Sequence, residues 1–166
     1  MYITDAYRQL NAELHQGGRY GRNGDKWAAK VADIVRAHSV MSVLDYGCGQ
    51  GSLARAVSFP VAQYDPAIPG KSALPNSADL VVCTDVMEHI EPELLSDVLD
   101  HLHSLSRHLL FAVISTRPAV KVLADGRNAH LIVEQPSFWK TALYRFSVLE
   151  WDEQNDEIIT LLAPVK

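Results

Sequence analysis

Cysteine is scarce in this chain of 166 residues: only Cys48, between two glycines, and Cys83, in an apolar run. That excludes a disulfide-stapled fold and a cysteine-rich metal site. Both are expected to be small packed side chains in a reducing compartment. No apolar run approaches the ~20 residues that cross a bilayer, and no basic-plus-apolar leader opens the sequence. A cytoplasmic protein without membrane attachment is the expectation. Positive charge is also short, with a formal net charge of −5 and a pI near 5.7. This argues against an autonomous nucleic-acid binder, which needs a basic face; only Arg19, Arg22 and Lys26 gather locally. Repeats, low-complexity tracts and internal composition breaks are missing. With 48% hydrophobic residues, the length suits one domain over residues 1–166.

Hydrophobic periodicity alternates between helix and strand. Helices are predicted over residues 4–15 and 25–38, the second with Asp25 as N-cap. Strands follow at 42–45, 61–64, 80–84 and 109–115. Helices intervene at 52–58 and 92–106, the latter with Pro92 in its first turn. After a long loop at 116–134, carrying the Asp125-Gly126 turn signal, a short helix at 136–143 precedes strands at 146–152 and 157–163. Asn155-Asp156 and the alternation of Ile158, Thr160 and Leu162 mark those two as an antiparallel hairpin. The fold class is α/β, a three-layer sandwich around a mostly parallel sheet that ends in this hairpin.

The segment SVLDYGCGQGSL at 42–53 carries the strongest signal. A short apolar strand ends in Asp45, and Gly47, Gly49 and Gly51 lead into a helix. Glycine at every second position permits a tight turn and lets a ligand lie against the backbone, with helix N-terminal amides facing it. The next strand ends in Asp65, about 20 residues on, where a carboxylate recognises ribose hydroxyls. Dinucleotide-binding folds space their glycines G-x-G-x-x-G. Here the spacing is G-x-G-x-G with Asp45 two residues ahead.

That spacing resembles the first motif of class I S-adenosylmethionine (SAM) dependent methyltransferases, a Rossmann-like superfamily. The segment ADLVVCTDVMEHI at 78–90 is similar to that family's fourth strand and the loop after it. The resemblance covers roughly residues 43–164. One departure stands out. Only 13 residues, several of them Pro, Gly and Ser, separate Asp65 from the strand starting near Asp79, where the family places a helix and a third strand. The sheet is therefore expected to be shortened between strands two and four, with a single loop at 66–77. How adenine is held without that strand is left open.

The resemblance implies SAM as cofactor and a methyl transfer to an oxygen or nitrogen. Cofactor contacts are expected from Asp45, Gly47, Cys48, Gly49, Gly51, Asp65, Pro66, Thr84 and Asp85. The helices within residues 1–40 are expected to cover the cofactor, with Tyr20 or Lys26 reaching its carboxylate. Local roles compete with several of these. Asp45 can cap the glycine turn, and Asp65 can serve an Asp-Pro turn with Pro66. Loops after parallel strands gather at the ligand edge of such a sheet. That makes His89 and His130 candidate bases, since a histidine pKa of about 6.5 suits proton abstraction at neutral pH. Glu88, Arg127 and Asn128 are candidate acceptor contacts. The competing readings are a helix cap at Glu88-His89 and a solvated loop at 126–130.

No metal site is expected, and the acidic group Glu150, Asp152, Glu153, Asp156 and Glu157 reads as a solvated hairpin end. His101, His103 and His108 read as surface or packing residues. The chain lacks the Asn/Asp-Pro-Pro-aromatic tetrapeptide of amino-methylating DNA enzymes; Thr84-Asp85-Val86-Met87 stands there instead. The acceptor is therefore expected to be a small molecule, with a homodimer or partner subunit as a way to complete the pocket. Alternative readings are a non-catalytic SAM-binding or interaction module and a nicotinamide-dependent oxidoreductase.

Overall fold

Alternation of side chains across three strands builds the centre of the molecule. The computed structural model describes residues 2–16 and 23–166. In β3 (Ala78–Thr84), Leu80 and Val82 face one side of the sheet, and Val81 and Cys83 the other. In β4 (Ser106–Ser115), Leu109, Phe111 and Val113 alternate with Leu110, Ala112 and Ile114 in the same way. Strands buried on both faces need helices on both faces. α2 (Ala28–Ala37) covers one side through Val31 and Ile34, joined by Leu53 of α3 (Ser52–Ala56). α4 (Leu95–Leu105) and α5 (Pro136–Ala142) cover the other through Val98, Leu102 and Trp139. The result is the expected three-layer sandwich.

Six strands lie in the order β2-β1-β3-β4-β6-β5. β1 (Val43–Tyr46), β2 (Ala62–Tyr64), β3 and β4 are parallel, whereas β6 (Glu157–Pro164) runs antiparallel to β4 and to β5 (Phe146–Gln154). At the β5–β6 turn, Asn155 and Asp156 both take positive φ, 52° and 58°. Both central residues of a type I′ hairpin require this, and Asn and Asp tolerate it well.

The chain between β2 and β3 forms neither helix nor strand, so the three-residue β2 is the sheet edge. Pro66, Pro69 and Pro75 interrupt it, and a tight bonded turn closes it: Ile68 donates to the Asp65 carbonyl, Lys71 to Ile68, and Asp65 to Lys71.

Several boundaries differ from the sequence reading, the predicted helix at 92–106 being a 3-10 turn at Pro92–Leu94 followed by α4. Residues 23–27 form a 3-10 turn before α2, so Asp25 is not its N-cap; the Asp25 carboxylate accepts the neighbouring Lys26 N–H instead. α3 stops at Ala56 rather than residue 58. β4 begins at Ser106, directly after α4, because Ser106 pairs with Ala78 across a register shift. No helix among the described residues is long and apolar enough to cross a membrane.

α1 (Asp5–Gln16) joins neither sheet face. With the segment just before it, this helix packs on the loop after β4, where Ile3, Tyr7, Leu123 and Ala129 form a separate small core. This pair roofs the edge of the sheet where the parallel strands end.

Candidate active site

Chain direction puts a crevice beyond β1 and β3. The connection leaves β1 toward β2 on one side, and the chain returns to β3 on the other. Loops at such a switch point diverge and leave room for a ligand. A cavity of about 370 Å3 lies there, between the loops after β1, β2, β3 and β4 and the N-terminal segment. Asp45, Gly47, Cys48, Gly49, Asp65, Pro66, Thr84, Asp85, His89 and His130 all line it. Sequence reasoning thus named a set of residues, 85 positions apart at its extremes, that the fold gathers around one space.

The glycine turn is held by its backbone. Gly47 and Cys48 both donate to the Tyr64 carbonyl, at 2.8 and 3.0 Å. Gly47 has φ of 75°, and a Cβ there would overlap the Val86 side chain. Only glycine meets both demands. Asp65 ties the turn to β2: one carboxylate oxygen accepts the Gly49 N–H at 3.0 Å, the other the Ala67 N–H at 2.9 Å. The ribose and Asp-Pro turn readings are therefore compatible, because each carboxylate oxygen can accept two hydrogen bonds. Asp45 is 4% exposed, and burial pushes its carboxyl up to about 7, with Lys71 pulling down and Asp65 pushing up. Burial likewise pushes the Cys48 thiol up to about 12, so it is an uncharged wall group.

Gly51 stands apart from this wall. It precedes α3 with φ of 74°, and a Cβ there would overlap the Gln63 amide and crowd the Lys71 ammonium, which donates to the Gly49 carbonyl at 2.9 Å. Gly51 is not among the residues that line the cavity.

After β3, Asp85 takes φ of 54° and donates its N–H to the Val113 carbonyl, while its carboxylate accepts from the Asn23 amide at 3.1 Å. Burial raises its pKa, opposed first by the Asn23 bond, with Glu157 raising it and Lys26 and His130 lowering it further. His89 and His130 meet ring to ring, with centroids 4.7 Å apart and planes nearly perpendicular. Each Nδ1 lies 2.6 Å from a backbone carbonyl, Ala129 for His89 and Arg117 for His130. A carbonyl only accepts, so both Nδ1 atoms carry a proton, and in the neutral ring the lone pair is then on Nε2.

Three expected acceptor contacts are turned elsewhere. Glu88 is wholly buried behind the wall, where one oxygen accepts the Ser115 N–H at 3.1 Å, and burial pushes its carboxyl up to about 8. Asn128 folds inward as a loop clamp, accepting the Ala119 and His130 N–H groups and donating to the Ala119 carbonyl, all at 2.8–2.9 Å. Arg127 pairs with Asp125 at 2.7 Å and lies over the Tyr7 ring. Lys26 is engaged by Glu157 at 3.1 Å, and Glu157 lines the cavity, so that acidic residue is not part of a solvated hairpin end. Tyr20 lies outside the described residues. His101 is a packing residue, stacked on Tyr2 at 3.9 Å and bonded to the Tyr46 hydroxyl.

Sequence reasoning expected N-terminal helices over the cofactor but missed the bonds that hold this roof. Tyr7 donates its hydroxyl to the His89 carbonyl at 2.7 Å, and the Glu91 carboxylate accepts the Thr4 N–H and hydroxyl at 2.9 and 2.7 Å. Tyr7 sits on an ordinary apolar helix stripe, and Glu91 precedes a helix as many acidic residues do, so no local signal marks either one.

Among the described residues five carboxylates, Asp45, Asp65, Asp85, Glu91 and Glu157, line the cavity against Arg117 and Lys121. Such a wall suits a cationic ligand with ribose hydroxyls, and bare glycine backbone at Gly47 and Gly49 leaves room for it. A methyltransferase domain family matches residues 19–152. Among proteins of curated function, none matches this sequence. Solved structures share the fold. Magnesium protoporphyrin IX methyltransferase from Synechocystis PCC 6803, with bound SAM, is 19% identical, with 85% of this chain and 79% of that one covered at a TM-score of 0.60. The Burkholderia thailandensis 1,6-didemethyltoxoflavin-N1-methyltransferase, with bound 1,6-didemethyltoxoflavin and S-adenosylhomocysteine, is 15% identical over 100% of this chain and 92% of that one, at 0.63. An Escherichia coli rRNA methylase is 15% identical over 98% and 78%, at 0.58. The family match spans the glycine turn, both acidic strand ends and both histidines, and by it this chain belongs to the SAM-dependent methyltransferases of the class I, Rossmann-like fold.

Proposed function

We propose that this methyltransferase modifies an oxygen or nitrogen of a small-molecule acceptor, which reaches the cavity beside His89 and His130. The observation that carries this reading is the cavity's charge. Among the described residues five lining carboxylates face two cations, and a polyanion such as a nucleic acid needs the opposite. Size agrees: about 370 Å3 is near the small end of ligand sites, and cofactor and acceptor must share it. The acceptors named for the structural neighbours are as unlike as magnesium protoporphyrin IX, 1,6-didemethyltoxoflavin and rRNA, so the fold alone does not set the acceptor.

The cofactor, when bound, supplies an electrophilic methyl group. Gly47 and Gly49 would offer backbone to it, Asp65 would offer carboxylate oxygens to its ribose, and buried Asp45 would offer a carboxyl to its positive charge. Much of the rate then comes from holding acceptor and methyl in line. His89 and His130, each fixed with Nε2 unprotonated, are suited to take a proton from the acceptor.

Calorimetry tests the cofactor, and methyl transfer from radiolabelled SAM to a fractionated metabolite pool tests the acceptor. SAM and S-adenosylhomocysteine are expected to bind, NAD not, and label to enter a low-mass fraction. Label entering only added RNA would overturn the small-molecule reading. SAM binding without transfer to any fraction would point to a non-catalytic module.

A further inference from the structure

We propose that Glu88, His89 and His130 form a divalent-cation site on the acceptor side of the cavity, and that the acceptor is accordingly an oxygen compound, a hydroxyl or a pair of neighbouring oxygens. The proposal rests on the methyltransferase reading and adds a metal to it.

Three observations converge. A ring nitrogen of each histidine and a carboxylate oxygen of Glu88 all lie within 4.8 Å of one another, a span that small shifts close around one ion. Both imidazoles are oriented as metal ligands usually are. Each donates Nδ1–H to a backbone carbonyl, which fixes the tautomer and aims the Nε2 lone pair. Finally, Glu88 leaves one oxygen unexplained. Oε1 accepts the Ser115 N–H, while Oε2 is buried with no hydrogen-bond partner among the described residues. A buried carboxylate oxygen left unpaired is costly, and a cation beside it removes the cost. His89 and His130 line the cavity and Glu88 stands directly behind them, so the ion would face the acceptor.

Two imidazoles and one carboxylate favour manganese, iron, cobalt or zinc over magnesium, which prefers oxygen alone. Three protein ligands leave positions open for an acceptor. A hydroxyl placed against the cation becomes a stronger acid. Its proton passes to water, the new carbon–oxygen bond forms as the methyl carbon–sulfur bond breaks, and sulfur keeps the electron pair. His89 and His130 would then act through the metal rather than as bases.

The test uses the full chain stripped with a chelator. Mn2+ is titrated by electron paramagnetic resonance, and the ring proton signals of its seven histidines are followed by NMR. One ion per chain is expected, with selective broadening of the His89 and His130 rings. Glu88→Gln and His130→Ala are expected to weaken binding at least about tenfold, the scale of loss when a metal site is disturbed. The broadening experiment needs no variant, so a misfolded mutant does not blunt it. Uniform broadening, no stoichiometric ion, or unchanged affinity in folded variants would overturn the site. SAM calorimetry with chelator present separates the two readings. SAM binding without cation binding sinks only the metal, whereas no SAM binding sinks the cofactor assignment itself.

Discussion

Asp65 and Asp45 show how much one carboxylate can be asked to do. Asp65 joins the glycine turn to β2 through two backbone N–H groups, each bond worth about 1.5–3 kcal/mol because the acceptor is charged. Asp65→Ala should therefore lower stability as well as SAM affinity, read by denaturation and calorimetry on the same sample. A loss of affinity with no loss of stability would mean the backbone bonds contribute nothing. Asp45 titrates near neutrality because it is buried. Its folded-state value stands above the ordinary 3.8, so the protonated form favours the fold. That contribution is complete below about pH 4 and fades as pH rises through about 7, at most about 4 kcal/mol in all. Asp45→Asn should flatten the fall in stability between pH 5 and 8, measured by urea unfolding. A cationic ligand beside Asp45 favours the ionised carboxyl, so SAM binding at pH 6.5 should release a proton. Calorimetry in buffers of different ionisation enthalpy would reveal it, and proton uptake or no exchange would contradict the placement.

At the scale of elements, the loop between β4 and α5 is organised by one side chain. Asn128 bridges Ala119 and His130 with three hydrogen bonds, and Val122 pairs with Asn128 as an isolated antiparallel bridge. Asn128→Asp keeps the accepting oxygen but sets a second one against the Ala119 carbonyl. It should loosen the loop and displace His130, seen as faster amide exchange at 117–131 with β4 unchanged. Unaltered exchange would mean the loop is held by packing alone. The sequence marked this loop as polar and close to the site but not which way its residues point. Strands were legible because burial on both faces forces a continuous apolar run, as at 80–83 and 109–114. The hairpin turn was legible because few residues tolerate positive φ, and the short crossing at 66–77 because a helix and strand need more residues than it has. Glu88, Tyr7 and Glu91 were not legible, since their roles come from partners dozens of positions away. The histidine pair was half legible: both residues were named, but neither their contact nor the carboxylate behind them follows from spacing.

The whole molecule divides into a stiff sheet with two helix layers and a lightly held roof. β3 and β4 are buried on both faces, whereas α1 rests on a core of four buried residues, Ile3, Tyr7, Leu123 and Ala129. A 12-residue helix is marginal without tertiary support. Its support is this small core, the Tyr2–His101 stack, the Glu91–Thr4 bonds and the Tyr7 hydroxyl bond. Segments with few buried contacts open by themselves, below the energy of global unfolding. The cavity lies under this roof, so opening of α1 would uncover it. Native-state hydrogen exchange should show α1 amides exchanging at least about 100-fold faster than those of β3, a gap of about 2.7 kcal/mol. Saturating SAM should slow α1 and β3 alike, because both the open and the unfolded states lose a ligand that binds only the closed form. Glu91→Ala should speed α1 exchange in the free protein, and β3 exchange by no more than the same factor, since both openings break the Thr4 bonds. If α1 and β3 instead exchange at the same rate in every state, roof and sheet unfold as one unit.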